Sequence, residues 1–203
     1  MKPIATLIFL RMFLSPVCVA EDAFPLKAKR ILFLGDSITA AGEFVNMIEM
    51  QLRLQSVDPM PELVNAGLPS EGCTGLSEPD HPFPRPDVHE RLDRALAAVK
   101  PDVVVACYGM NDGIYYPFSQ ERFQKYAAWI LEQKDRVEMV IDLHTPITAF
   151  WVQQRKQDPA FTVAPDGVHC NSACHQTIAE VILNAWGVES WMPISDHMTQ
   201  LSN

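Results

Sequence analysis

Short runs of apolar residues, each too short for a helix, constrain most strongly what this chain can fold into. Two such runs are residues 31–34 (ILFL) and 103–107 (VVVAC), and two shorter ones lie at 63–64 and 139–141. The two longer runs do not alternate apolar with polar residues, which is typical of strands buried on both faces of a parallel sheet. Segments with helical spacing separate the runs. This alternation predicts an α/β fold, a three-layer, doubly wound parallel sheet covered by helices on both faces.

Local signals place the helices between these strands. The first helix is expected to follow Ser37, because Val45, Ile48 and Leu52 recur at helical spacing. Residues 68–86 are rich in proline, glycine and acidic residues and predict a long surface loop. Further helix starts are predicted at the Asp87 and Ser119 caps, at Thr145-Pro146 and near Asn171, and the last helix is expected to end at Gly187.

Residues 1–20 have the composition of a targeting segment. Lys2 precedes an apolar run that Arg11 interrupts once, and the run ends in CVA before Glu21. A basic start, a short apolar stretch and a small final residue are typical of a secretory signal peptide. A buried or membrane-anchoring helix is the alternative. We therefore expect an exported protein, periplasmic or secreted, in which residues 21–203 form a single domain.

The charge balance limits the partners. The formal net charge is −9, and loss of residues 1–20 would change it to −11, because that segment holds two basic residues and no acidic one. An acidic chain without a basic cluster is not typical of proteins that bind nucleic acid or anionic membranes. We expect a small-molecule or carbohydrate substrate, no nucleic-acid partner and no membrane association after signal removal. The sequence does not define the oligomeric state.

Four cysteines lie beyond the predicted signal peptide: Cys73, Cys107, Cys170 and Cys174. In an exported protein four cysteines permit three pairings, and the sequence does not choose among them. Cys107 lies inside an apolar run and is expected to be a buried thiol. Cys170 and Cys174 are one helical turn apart and each adjoins a histidine, so a metal cluster is a geometric alternative for this pair.

Polar motifs follow the apolar runs at separate places in the chain. Residues 35–37 (GDS) follow the first run, residues 109–112 (GMND) follow the third, and residues 166–169 (DGVH) come late. In open parallel sheets, ligands bind beyond the carboxyl ends of the strands. A hydroxyl, an amide donor and an imidazole with its carboxylate are the groups that a serine hydrolase uses. We therefore expect the motifs to meet at that edge of the sheet.

Some of the candidate residues also have a purely structural alternative. Ser37 at a helix start would direct its hydroxyl toward the site, with backbone N–H groups and the helix dipole nearby, but it could instead only cap the helix. Gly67 after the second strand would let a substrate oxygen approach its N–H. Asn111 could donate to the same oxygen, or belong to a simple Asn-Asp-Gly turn. Asp166 could hold one nitrogen of His169 while the other faces Ser37.

These motifs resemble those of SGNH hydrolases, the GDSL-like esterase and lipase superfamily. The resemblance covers residues 30–186. It makes Ser37 the nucleophile and Asp166 and His169 the other members of a catalytic triad. It assigns the oxyanion hole to the backbone N–H groups of Ser37 and Gly67 and the amide of Asn111. It implies ester hydrolysis without a metal or an organic cofactor.

The middle of the chain departs from that family pattern. Only residues 113–136 separate the GMND motif from the run at 139–141, where the family usually has another strand and helix. This length suffices for one crossover helix. We therefore expect four parallel strands in the order 2-1-3-4, with residues 139–141 paired to 103–105. The segment 142–165 should absorb the displacement, so that His169 still faces Ser37.

The favoured function is that of an exported serine esterase. It would remove acetyl or other short acyl groups from an oxygen, with carbohydrate as one candidate alcohol. A non-catalytic binding protein, which keeps the pocket but has lost the triad geometry, is the first alternative. A thiol or metal protein centred on Cys170 and Cys174 is the second. The Ser37–His169 distance separates the esterase from the binding protein.

Overall fold

The computed structural model describes residues 24–77, 81–112, 119–188 and 191–192. Within them the sheet has three parallel strands in the order β2-β1-β3. The strands are β1 (Arg30–Gly35), β2 (Glu62–Asn65) and β3 (Val103–Cys107). Since parallel strands end at the same edge, the segments that follow β1, β2 and β3 meet there.

The predicted alternation of strands and helices is present. The α-helices are α1 (Ser37–Ala40), α2 (Glu43–Leu54), α3 (Leu92–Val99), α4 (Gln120–Leu131), α5 (His144–Arg155) and α6 (Ser172–Ala185). Short 3₁₀ turns at Val88–Glu90 and Glu132–Asp135 precede α3 and follow α4. The parallel sheet with helices confirms the α/β class.

The central strand β1 divides the interior into two apolar clusters, one on each face of the sheet. Ile31 and Phe33 pack with residues of α2 and α6 on one face. Leu32 and Leu34 pack on the other face, against Val88 and residues of α3. This explains why the run in β1 does not alternate with polar residues, because both of its faces are buried.

The helix expected after Ser37 is broken into two pieces. The four-residue helix α1 ends at Ala40, and Gly42, with φ of 80°, turns the chain into α2. A positive φ of this kind is adopted most readily by glycine. The apolar face of α2 is as predicted, because Val45, Ile48 and Leu52 are all buried.

Most predicted caps are confirmed. Three side chains accept hydrogen bonds from backbone N–H groups at the start of a helix or turn. Asp87 does so at the Val88–Glu90 turn, Ser119 at α4 and Asn171 at α6. The start of α5 differs, because the helix begins at His144 and Asp142 Oδ1 accepts the Thr145 N–H at 3.1 Å. Thr145 is therefore a residue of the first turn rather than its cap.

The predicted fourth strand is wrong, and so is the order 2-1-3-4. Residues 139–141 form no ladder with β3 in the part of the chain that the structure describes. Met139 and Ile141 instead pack their side chains against the cluster that includes Val103 and Val105. The physical reason lies in the next two residues, where Asp142 Oδ1 accepts the Thr145 N–H and Leu143, the cap residue of α5, already has helical backbone angles. The side chains of Met139 and Ile141 thus reach the apolar core, although the backbone of residues 139–141 does not pair with β3.

The terminal segment and the long loop are the remaining segments that the sequence predicts. The predicted signal peptide, residues 1–20, lies outside the described residues. Among the helices of the described residues, none has the length and apolarity to cross a bilayer. The described residues of the loop, 68–77 and 81–86, contain no helix and one isolated bridge, between Gly72 and Asp87.

Candidate active site

Ser37 lies at the point where β1 leads into α1. The cap of α1 is Asp36, whose Oδ1 accepts the Ile38 N–H at 2.9 Å. Burial raises the pKa of the Asp36 carboxyl from its ordinary value. Since Asp36 satisfies the helix start, the hydroxyl of Ser37 is available for another contact. The interpretation of Ser37 as the capping residue is therefore wrong.

That contact is with His169. The distance from His169 Nε2 to Ser37 Oγ is 3.0 Å, and His169 Nδ1 lies 2.7 Å from Asp166 Oδ2. An ionised carboxylate only accepts hydrogen bonds, so Nδ1 carries the imidazole proton and Nε2 accepts the Ser37 hydroxyl. The hydrogen bond from His169, with backbone N–H groups of His169 and Val168, holds the pKa of Asp166 well below its usual range.

The DGVH loop is positioned by α6 rather than by a fourth strand. Asn171, the cap of α6, follows His169 closely, and its N–H donates to Val163 O at 2.9 Å. Helix α6 in turn packs on α2, where the His175 ring stacks on Phe44 with 6.1 Å between centroids. Since α2 continues from α1, this packing places His169 beside Ser37.

Gly67 packs against the backbone of α1. A Cβ at this position would lie 2.3 Å from Ala40 N, so any side chain would force α1 away from the end of β2. The Gly67 N–H donates to Asn65 Oδ1 at 2.9 Å. Gly67 therefore lies after β2, as the sequence predicts, and its backbone N–H is hydrogen-bonded to Asn65.

Asn111 is buried at the end of the segment that follows β3. Its Nδ2 donates to Glu71 O at 3.2 Å, and its Oδ1 accepts from Arg85 Nη1 at 2.8 Å. The Arg85 contact defines which end of the amide is the oxygen, because a guanidinium only donates. Sequence reasoning missed Arg85, although it is the only Lys or Arg in the loop 68–86.

A buried ion pair, also missed, holds the start of this loop. Glu71 is fully buried and accepts two hydrogen bonds from the guanidinium of Arg91 and one from Tyr108 OH at 2.7 Å. Arg91 Nη2 also donates to Ala66 O at 2.8 Å, next to Gly67. The cluster joins residues that are far apart in the chain, Glu71, Arg91 and Tyr108. No local sequence pattern therefore predicts it.

The described residues contain no cluster of three or more His, Cys, Asp or Glu side chains arranged to bind a metal ion. Cys170 and Cys174 lie together, but His169 contacts Ser37 and Asp166. His175 stacks on Phe44. The histidines that adjoin the two cysteines thus have other contacts.

Comparison with known proteins gives structural neighbours only. No family model matches the chain, and no curated protein sequence matches it. A gut microbial diltiazem-metabolizing enzyme aligns over 78% of this chain and 47% of its own, with a TM-score of 0.61 and 18% identity. The chain thus spans about half the length of that enzyme.

Two other solved structures match over nearly their whole length. LAE5, an α/β hydrolase enzyme from the metagenome of Lake Arreo in Spain, covers 80% of this chain and 97% of its own, with a TM-score of 0.55 and 17% identity. A variant of Axe2, an acetyl xylan esterase from Geobacillus stearothermophilus, aligns over 81% of this chain and 97% of its own. The TM-score is 0.51 and the identity 23%. At these identities the likeness is one of fold alone.

Proposed function

We propose that this protein is an exported serine esterase of the SGNH (GDSL-like) superfamily, which hydrolyses acetyl or other short acyl esters. The observation that carries the proposal is the hydrogen-bonded chain from Ser37 through His169 to Asp166, with distances of 3.0 and 2.7 Å. A base within hydrogen-bond reach of a hydroxyl, itself oriented by a third group, is the arrangement that activates a serine.

In this mechanism Ser37 Oγ attacks the ester carbonyl while His169 Nε2 takes its proton. Asp166 holds the imidazole in the tautomer that can accept this proton and stabilises the cation that forms. His169 then returns the proton to the leaving alcohol. Water deacylates the enzyme by the same steps in reverse order, with His169 again as the base.

The oxyanion of each tetrahedral intermediate would be bound by the N–H groups of Ser37 and Gly67 and the amide of Asn111. Gly67 would first release Asn65 Oδ1, to which it donates at 2.9 Å. Arg85 and the carbonyl of Glu71 hold the Asn111 amide in one orientation, so its reorganisation during the reaction is small. The chemistry needs no metal and no organic cofactor.

The site is open to solvent, which bears on the substrate. The side chains of His169 and Asp166 are each 55% exposed. An open site accommodates an acyl group carried on a large alcohol, such as a polysaccharide. Together with the fold shared with an acetyl xylan esterase, this favours acetylated carbohydrate among the candidate substrates.

A panel of chromogenic acyl esters, with acyl chains from acetyl upward, tests the proposal. We expect hydrolysis that is fastest with the shortest chains and lost in Ser37→Ala, whereas Ser172→Ala, in the exposed first turn of α6, serves as the matched control. A fluorophosphonate should label Ser37, the only serine in the tryptic peptide 31–53. Equal activity of wild type and Ser37→Ala would overturn the proposal.

A non-catalytic binding protein is the second candidate. It is favoured by the Gly67 N–H, which donates to Asn65 rather than pointing to an open oxyanion site. Under this alternative, acetylated oligosaccharides would bind to wild type and Ser37→Ala alike, measured by calorimetry, without turnover or fluorophosphonate labelling of either.

A further inference from the structure

We propose that Cys170 and Cys174 form a disulfide that closes the junction between the His169 loop and helix α6. The two Sγ atoms are 2.7 Å apart. An S–S bond of about 2.05 Å requires only a small movement of either side chain from this position. Both residues contact the same apolar cluster, so the movement takes place on a packed surface.

The position of the pair gives the bond a structural consequence. Cys170 directly follows His169, and Cys174 lies in the first turn of α6, where its N–H donates to Asn171 Oδ1 at 2.9 Å. The bond would add a covalent link across the same turn that this cap closes. The loop bearing His169 would thereby be tied to the helix that positions it.

The hydrogen bond between the two thiols favours formation of a thiolate, the form of cysteine that reacts with a disulfide. The hydrogen bond from the Cys170 thiol lowers the pKa of Cys174, and the first turn of a helix also stabilises a thiolate. The same hydrogen bond raises the pKa of Cys170, which keeps the proton that the two thiols share, and burial raises the pKa of Cys73 to about 11 and that of Cys107 to about 12. Because Cys170 and Cys174 combine a thiolate with a thiol 2.7 Å away, oxidation is expected to select this pair.

The oxidant is a disulfide, either a small molecule or the active site of a disulfide oxidoreductase. Cys170, the more exposed of the pair, passes its proton to the neighbouring Cys174 thiolate and attacks one sulfur of the oxidant, which releases a thiolate and leaves a mixed disulfide. Cys174 Sγ then attacks Cys170 Sγ and releases the second thiolate. Two thiols have then lost two electrons and two protons, and the oxidant has become two thiols. An exported protein meets such oxidants.

The chain offers a clean measurement. No Lys or Arg follows Lys156, so the tryptic peptide 157–203 contains Cys170 and Cys174 and no other cysteine. After equilibration of the folded protein with glutathione disulfide, we expect this peptide to be lighter by two hydrogen atoms in mass spectrometry. Cys73→Ser, the matched control, should show the same loss, whereas Cys174→Ser should carry glutathione on Cys170.

A second measurement tests the stabilising role. Closing a five-residue ring should raise the melting temperature of oxidised over reduced wild type by about 4–8 °C, and reductant should not change that of Cys170→Ser. The proposal is overturned if both thiols of peptide 157–203 remain alkylatable, if either cysteine pairs with Cys73 or Cys107, or if the reduced pair retains zinc. Because these measurements do not use catalysis, they stand apart from any failure of the proposed esterase activity.

Discussion

At the scale of single residues, the start of α1 divides two tasks between neighbours. Asp36 accepts the Ile38 N–H and so caps the helix, while Ser37 contacts His169. A serine that both capped the helix and attacked a substrate would have to break its cap in every turnover. The division leaves the Ser37 hydroxyl available to His169 without any loss of the cap of α1.

Ser37→Ala should lower turnover of acyl esters by about 10⁴-fold or more, as loss of a triad nucleophile does. The fold should be unchanged, because the cap is Asp36, and circular dichroism checks this. Activity close to that of wild type in the purified, folded variant would exclude Ser37 as the nucleophile.

Asn111→Ala should lower turnover by ~10²-fold or more with little change in KM, because one oxyanion donor is lost. Steady-state kinetics on a short-chain ester measure both parameters. Removal of the amide also leaves Arg85 Nη1 and Glu71 O without this partner, so stability must be measured alongside. If the folded fraction retains full specific activity, Asn111 is a structural residue only.

At the scale of elements, two contacts decide where Ser37 and His169 lie. Gly67 lets the end of β2 approach α1, and α6 packs on α2 through a core that includes His175 and Phe44. The first contact positions Ser37, and the second positions His169.

Gly67→Ala should destabilise the protein by about 1–3 kcal/mol, a typical result of overpacking, because its Cβ would meet Ala40 backbone at 2.3 Å. Since α1 must move, esterase turnover of the folded fraction should fall as well. Urea unfolding and kinetics measure the two effects. Gly167→Ala is an informative comparison, because a Cβ there meets nothing within 4 Å, although the positive φ of 84° adds strain of its own.

Stability should fall on acidification through His175. Burial lowers the pKa of this residue in the folded protein, with Glu43 opposing the shift. The unfolded chain, with an ordinary histidine pKa of about 6.5, therefore binds more protons below that pH, and unfolding becomes more favourable down to the folded-state pKa. Urea unfolding at pH 7.5 and at lower pH should show a steeper loss for wild type than for His175→Leu. Parallel losses would contradict this role.

At the scale of the whole molecule, the small sheet leaves β3 with one neighbour among the described residues. The outward face of β3 is partly uncovered, and Val104 is 43% exposed. Exposed apolar edge strands promote association between chains, and a lysine on the edge opposes it.

Val104→Lys should reduce self-association at high concentration, measured by light scattering. Because Val104 is partly exposed, the free energy of unfolding should change by no more than about 0.5 kcal/mol, and ester hydrolysis should be unchanged. A large loss of stability would mean that the β3 edge is covered in solution.

Local features of this protein follow from its amino-acid sequence. The unbroken run in β1 predicts a doubly buried strand, the side chains of Asp87, Ser119 and Asn171 predict helix starts, and the three-residue spacing of Asp166 and His169 predicts their contact. Each of these depends on residues close together in the chain, so that propensity, spacing and capping suffice.

Only the tertiary structure decided the features that join distant segments. Residues 139–141 have the composition of a strand, yet the start of α5 directly after them and the packing of Met139 and Ile141 on the core leave them unpaired. The Glu71–Arg91 pair joins residues 20 positions apart, and no pattern in the sequence predicted it. The His169–Ser37 contact spans 132 positions, and it was expected from the placement of the motifs in the fold rather than from any local pattern. Such contacts arise when helices and strands pack against one another, because packing brings together residues that no local pattern relates.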